Sequence, residues 1–204
     1  MSKPTIIEYT GTPNAGKTTL LKIFPEVLAT KGINAVVMQE DAEIVPKCIP
    51  KKTWIRNVWI TLGQIQSLLE SKYRDNDIIF LDRGYYDALF WASFLVKQKV
   101  CTKEESESLI RILEEIDTFF HVKPDYLYVF DVSAEESIKR RLAQSNEPTT
   151  MTNTSFLNEY RQELQEFIAK VKGEVKLEFI DTTNMDVLQM QSVVIDKINK
   201  VIIK

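Results

Sequence analysis

Ile6-Ile7-Glu8-Tyr9-Thr10-Gly11-Thr12-Pro13-Asn14-Ala15-Gly16-Lys17-Thr18 holds, in succession, a short apolar run, a turn with two glycines and the opening of a helical pattern. Ile6 to Tyr9 reads as a strand and Thr18 to Ala29 as a helix, with Gly32 closing it. Between them, Gly11 to Thr18 matches G-x-x-x-x-G-K-[ST] without departure. The two glycines let the backbone turn tightly and approach a ligand with no Cβ in the way. Successive N–H groups then point into one concavity, and the positive end of the following helix compensates polyphosphate charge. Gly11, Thr12, Pro13, Asn14, Ala15, Gly16, Lys17, Thr18 and Thr19 are therefore the expected residues for the phosphates of a bound nucleotide. Lys17 should reach the β and γ phosphates, and the Thr18 hydroxyl should take a place on Mg²⁺.

Working outward from this loop, apolar runs at Ala35–Met38, Ile78–Leu81, Tyr126–Phe130 and Leu177–Ile180 read as further strands. Ala35–Met38, apolar throughout, is expected to be buried on both faces. Helical spacing covers residues 54–73, 88–97, 103–120, 156–171 and 187–201. Ser133, with Glu136 three residues on, predicts a capping box opening another helix. Five strands separated by helices predict a doubly wound α/β fold with a parallel sheet, in one domain spanning residues 1–204.

The 204 residues include 26 basic and 29 acidic side chains, for a net charge of −3. That balance argues against a general nucleic-acid binder. No apolar run approaches the roughly 18 residues of a membrane span, and no targeting segment is visible, so a cytoplasmic protein is expected. Two cysteines, Cys48 and Cys101, make no disulfide framework, and the single histidine, His121, excludes a histidine metal cluster. His121 reads as the polar end of a helix.

Asp82 follows an apolar strand directly, which puts its carboxylate at the edge where open α/β sheets bind ligands. There it can help hold Mg²⁺, and Arg83 can aim a guanidinium at phosphate oxygens in the same crevice. The alternative is an ordinary solvated pair at a strand end.

Taken in order, the phosphate loop, the acidic Gln39-Glu40-Asp41 after the second strand, Asp82-Arg83-Gly84 after the third and the arginine-bearing helix Ser133 to Arg141 after the fourth resemble the thymidylate kinase and deoxynucleoside kinase group of P-loop kinases. The resemblance implies a three-layer fold with sheet order 2-3-1-4-5 and a small lid at about residues 139–154. It implies transfer of the γ-phosphoryl of ATP, with Mg²⁺, to a nucleoside or nucleoside monophosphate. Glu40, or failing it Asp41, falls where the group carries the carboxylate that takes the acceptor proton. Asp82 and Arg83 fall on its metal- and phosphate-contacting pair, and Arg140 and Arg141 on its lid. Thr182 and Asn184, after the fifth strand, fall where related kinases contact adenine. Gly84 departs from the Ser or Tyr usual in the group.

The acceptor side is less marked. Arg56 and Asn57, on the helix that starts at Trp54, could meet a base, as could Tyr86, although aromatics opening a helix are often core. Lys47, Lys51 and Lys52 read as solvated cations unless the acceptor carries phosphate. Adjacent Arg140 and Arg141 point about 100° apart, so only one of them can aim at a given phosphate. Leu109, Ile112, Leu113, Ile116 and Phe119 form a stripe that is first a core face and, as an alternative, a homodimer surface. Rival readings are a P-loop regulatory ATPase, an inactive binding module and a kinase of another small hydroxyl compound. No Asn-Lys-x-Asp segment supports a GTPase.

Overall fold

A computed structural model of the chain describes residues 3–38, 42, 44–145 and 150–202. Among these residues, five strands, β1 (Thr5–Gly11), β2 (Ala35–Met38), β3 (Ile78–Asp82), β4 (Tyr126–Asp131) and β5 (Lys176–Asp181), alternate with seven α-helices. The helices are α1 (Lys17–Ala29), α2 (Trp54–Ser71), α3 (Tyr85–Lys97), α4 (Lys103–Phe120), α5 (Ala134–Gln144), α6 (Thr154–Val171) and α7 (Val187–Ile202), with a 3-10 turn at Thr150–Thr152. The sheet order is β2-β3-β1-β4-β5, all parallel, as expected from the resemblance.

Parallel pairing sends every strand's C-terminal end to the same edge. The register sets Tyr9 beside Asp82, Gly11 beside Phe130 and Asp131 beside Asp181. Alternation along the strands divides the core in two. Ile6, Ile79, Leu81, Leu127 and Val129 pack with side chains of α2, α3, α4 and α6 on one face. Ile7, Tyr9, Phe80, Tyr128 and Phe130 pack with α1 and α7 on the other. Among the described residues, no helix is long and apolar enough to cross a membrane.

Three local expectations need correction. β2 is an edge strand, so Ala35, Val36 and Val37 are only partly buried. Ser133 does cap α5 through the Glu136 N–H, at 3.2 Å, but the box is not closed. The Ser133 N–H donates to the Thr183 hydroxyl, and the Glu136 carboxylate accepts from Lys139 and Arg140. A full capping box stands instead at Thr102 and Glu105, opening α4. Finally, α3 begins at Tyr85 rather than Ala88. Its cap is remote: the buried Glu8 carboxyl of β1 accepts from the N–H groups of Tyr86 at 3.1 Å and Asp87 at 2.7 Å. A carboxyl oxygen under a helix N-terminus satisfies donors that the helix leaves open.

Candidate active site

The loop between β1 and α1 is shaped by backbone that side chains would obstruct. Gly11 has φ 129°, and a Cβ there would lie 1.9 Å from the Phe130 carbonyl oxygen. Gly16, at φ 94°, starts α1, and Asn14 also has positive φ, 60°. Thr12 donates its N–H to the Phe130 oxygen at 2.9 Å, which ties the loop to β4. The Lys17 ammonium is buried and donates to the carbonyls of Gly11 at 3.0 Å and Thr12 at 2.9 Å. Pro13 is buried and gives its carbonyl to Ser137 at 2.9 Å, and Ala15 is buried beneath the loop. Thr19 is exposed on the first turn of α1.

Thr18 and Asp82 meet across the crevice, with the Thr18 hydroxyl donating to Asp82 Oδ2 at 2.9 Å. Asp82 Oδ1 is buried and has no hydrogen-bond partner among the described residues. Burial raises the Asp82 carboxyl above its usual range, against the lowering effect of Thr18, Lys17 and Arg83. A buried oxygen without a donor, beside a hydroxyl at the mouth of a phosphate-type loop, fits a divalent cation that keeps some of its own water. The chemistry of this donor set suits Mg²⁺, a hard ion taking oxygen ligands.

The arginines of α5 divide as their spacing requires. Arg140 turns toward the loop and β5. It donates to Asn14 O at 3.4 Å, the Thr182 hydroxyl at 3.2 Å, Thr182 O at 2.6 Å and Met185 O at 3.2 Å, with Nε on Glu136 at 3.1 Å. Arg141 is half-buried, and its Nε has no partner among the described residues. Thr182, read as an adenine contact, is fully buried. Its hydroxyl is used on Ala15 O at 3.1 Å and Asp131 O at 3.0 Å, so it braces the phosphate loop. Asn184 is exposed just beyond. Glu40 and Asp41 lie outside the described residues, as do residues 146–149 of the expected lid.

A pocket of about 510 Å³ lies between α2, α3 and the start of α6, within the range of small-ligand sites. Arg83 reaches its wall from the same turn that carries Asp82. Arg83 holds φ 71°, a strained value for a residue with a side chain. Its guanidinium lies 3.3 Å from both Asp87 oxygens and 5.9 Å from the centre of the Trp91 ring. Asp87 is buried and also accepts the Thr10 hydroxyl at 2.6 Å. Arg56 and Asn57 both line the pocket. Arg56 donates to Ala42 O at 3.2 Å, and Asn57 Nδ2 is buried without a partner among the described residues. Lys52 joins them at the wall.

Tyr86 is the misplaced residue. It is fully buried in the core and does not line the pocket, because α3 starts early and turns this ring inward. Sequence reasoning also passed over Gln64, Asp87, Trp91 and Phe156, all of which line the pocket. One pattern could have found Gln64: Asn57, Thr61 and Gln64 form a buried polar seam at helical spacing on α2, where apolar residues would be expected.

The chain matches the AAA domain family over residues 7–154. It is 30% identical over 145 residues to the probable thymidylate kinase of Sulfurisphaera tokodaii, covering 67% of this chain and 68% of that protein. The fold is that of deoxyadenosine kinase from M. mycoides. The structure with dCMP and a flexible dCDP bound superposes with a TM-score of 0.74 at 15% identity, covering 96% of this chain and 100% of that one. The structure with bound dATP gives 0.73 at 14% identity, with the same coverage.

Proposed function

The chain belongs to the AAA domain family and to the thymidylate kinase-like group of P-loop nucleoside and nucleotide kinases, and from that premise we propose that it moves the γ-phosphoryl of ATP, with Mg²⁺, to a nucleoside or nucleoside monophosphate. The observation that carries this reading is the adjacency of Asp82 and Arg83. One meets Thr18 at the phosphate loop and the next lines the 510 Å³ pocket, so donor and acceptor would meet at a single turn.

In the transfer, the acceptor oxygen, a hydroxyl of a nucleoside or a phosphate oxygen of a monophosphate, bonds to the γ phosphorus while the bond to the bridging oxygen of ADP breaks. With a hydroxyl acceptor the proton goes to a carboxylate, for which Glu40 is the candidate and Asp41 the next. Lys17 exchanges the carbonyls of Gly11 and Thr12 for phosphate oxygens. Thr18 and Asp82 would hold Mg²⁺, which when bound neutralises charge spread over the phosphates. Arg83 is placed to orient the acceptor or a phosphate it carries, and Arg140 or Arg141 to cover the transferring group as residues 139–154 close. Positioning and charge compensation are what this chemistry requires of a protein, so it needs no Cys or His nucleophile.

The protein works in the cytoplasm in this reading, in keeping with the unpaired Cys48 and Cys101. A second copy would cover Ile112 and Phe119, which are exposed on α4. The test is ATP consumption with a panel of nucleosides and monophosphates. The rate should rise many-fold with the right acceptor, and Glu40→Gln should slow turnover while sparing ATP binding. Steady hydrolysis indifferent to every acceptor would favour a regulatory ATPase instead. Activation only by a non-nucleoside alcohol would reassign the substrate.

A further inference from the structure

One helix touches both halves of the site. Phe156, in the first turn of α6, lines the acceptor pocket. Tyr160, one turn later, is fully buried, with its ring 5.6 Å from Trp91, 5.4 Å from Phe94 and 6.4 Å from Phe156. Trp91 and Phe94 are themselves pocket lining. The hydroxyl of the same Tyr160 donates to the Gly11 carbonyl at 3.2 Å, the carbonyl that also accepts Lys17 Nζ at 3.0 Å. The next residue grips the next loop position. Arg161 makes a two-pronged contact with the Asp131 carboxylate, at 2.9 and 2.7 Å, and Asp131 Oδ1 accepts the Thr12 hydroxyl at 2.6 Å.

We infer that Tyr160 is a positioning residue that couples the phosphate loop to the aromatic wall of the acceptor pocket. This rests on the kinase reading of the loop. A triphosphate draws the Lys17 ammonium off the Gly11 and Thr12 carbonyls. A buried carbonyl that loses a charged donor relies more on those that remain. For Gly11 the Tyr160 hydroxyl stays in place, so loading the loop tightens this bond and fixes the ring against Trp91, Phe94 and Phe156. The ligand thus favours one arrangement of a packed element, which is the requirement for coupling two sites. An acceptor then meets a wall already set, and by linkage it strengthens donor binding by the factor it gains.

The test does not depend on knowing the acceptor. Trp54→Phe/Trp59→Phe leaves Trp91 as the sole tryptophan. In that protein, a non-hydrolysable ATP analogue with Mg²⁺ should change the Trp91 emission. Adding Tyr160→Phe keeps the ring and removes the hydroxyl. It should erase the emission change while calorimetry still detects analogue binding and the melting midpoint shows a folded protein. With an acceptor in hand, the donor-dependent gain in its affinity, about 5-fold or more in the parent, should fall to near unity. An unaltered emission change in Tyr160→Phe overturns the inference, as does analogue binding that never reaches Trp91 in the parent. An analogue that does not bind the parent removes the proposed donor, and the coupling with it.

Discussion

A Cβ on Gly84 would stand 3.0 Å from a carboxylate oxygen of Glu8 and 3.1 Å from the Leu81 side chain. The backbone of Gly84 is extended, at φ −170°, and open to any residue, so the constraint is space beside a buried acid. A side chain here must press on Glu8 or Leu81. Gly84→Ser should destabilise the protein by about 1–3 kcal/mol, the usual range for overpacking, read as a shift of the denaturant midpoint. In a Glu8→Ala background the added cost should shrink, because neighbouring changes do not add. Equal costs in both backgrounds would place the crowding elsewhere.

Glu8 also predicts an unusual pH dependence. Burial pushes its carboxyl from 4.5 up to about 8, and the charge of Asp87 adds to the rise, against the opposing N–H donors of Asp87, Tyr86 and Gly84. Tyr85 and Tyr86 face it from α3 as neutral hydroxyls, held above their usual range chiefly by burial. Between the two values the folded protein keeps a proton that the unfolded chain has lost. Stability contributed by this group is therefore present in acid and declines as pH rises toward about 8, by at most about 1.4 kcal/mol per pH unit. Denaturant midpoints from about pH 5 to about pH 8 should show that slope and level off above it, and Glu8→Gln should flatten it. A slope unchanged in Glu8→Gln would assign the effect to another group.

Lys17→Ala should lower phosphoryl transfer by about a hundred-fold or more, since a charge aimed at the reacting phosphates is lost. It also bonds to two loop carbonyls, so the melting midpoint should fall as well, but by far less than the activity. Single-turnover rates beside melting curves separate the two effects. A variant that simply unfolds would show Lys17 to be mainly a loop brace.

Asp82→Asn should trade activity for stability. The carboxylate is disfavoured by burial, and one of its oxygens has no protein donor among the described residues, so a neutral amide removes a cost. The variant should be at least as stable near neutral pH. Its turnover should fall by about a hundred-fold, with a higher Mg²⁺ requirement. Wild-type dependence on Mg²⁺ would move the metal away from Asp82.

How much of this was legible in the sequence depends on how local the cause is. The β1–loop–α1 unit could be read directly, because its glycines, lysine and threonine act within one turn of chain. Asp82 and Arg83 were equally open, since a strand that ends in a charge fixes the edge where it sits. The start of α3 was hidden because its cap comes from Glu8, 78 positions before Tyr86, while Gly84 rather than Ser, Thr or Asp stands at the cap position. The placement of Tyr86 went wrong with it. Tyr160 and Arg161 were hidden for a related reason: they lie inside an ordinary amphipathic helix, and only the fold carries them to Gly11 and Asp131. Of Arg140 and Arg141, spacing established that they diverge, while contacts with Thr182 and Met185 decide which one faces the loop.

The polar seam on α2 suggests where the enzyme can be re-engineered. Asn57 and Gln64 line the pocket from a helix that packs chiefly on α3, away from the residues that grip the nucleotide loop. Libraries built at those two positions can vary acceptor preference with the donor machinery left in register. Diversifying Phe156 or Trp91 would instead disturb both ends of the reaction together.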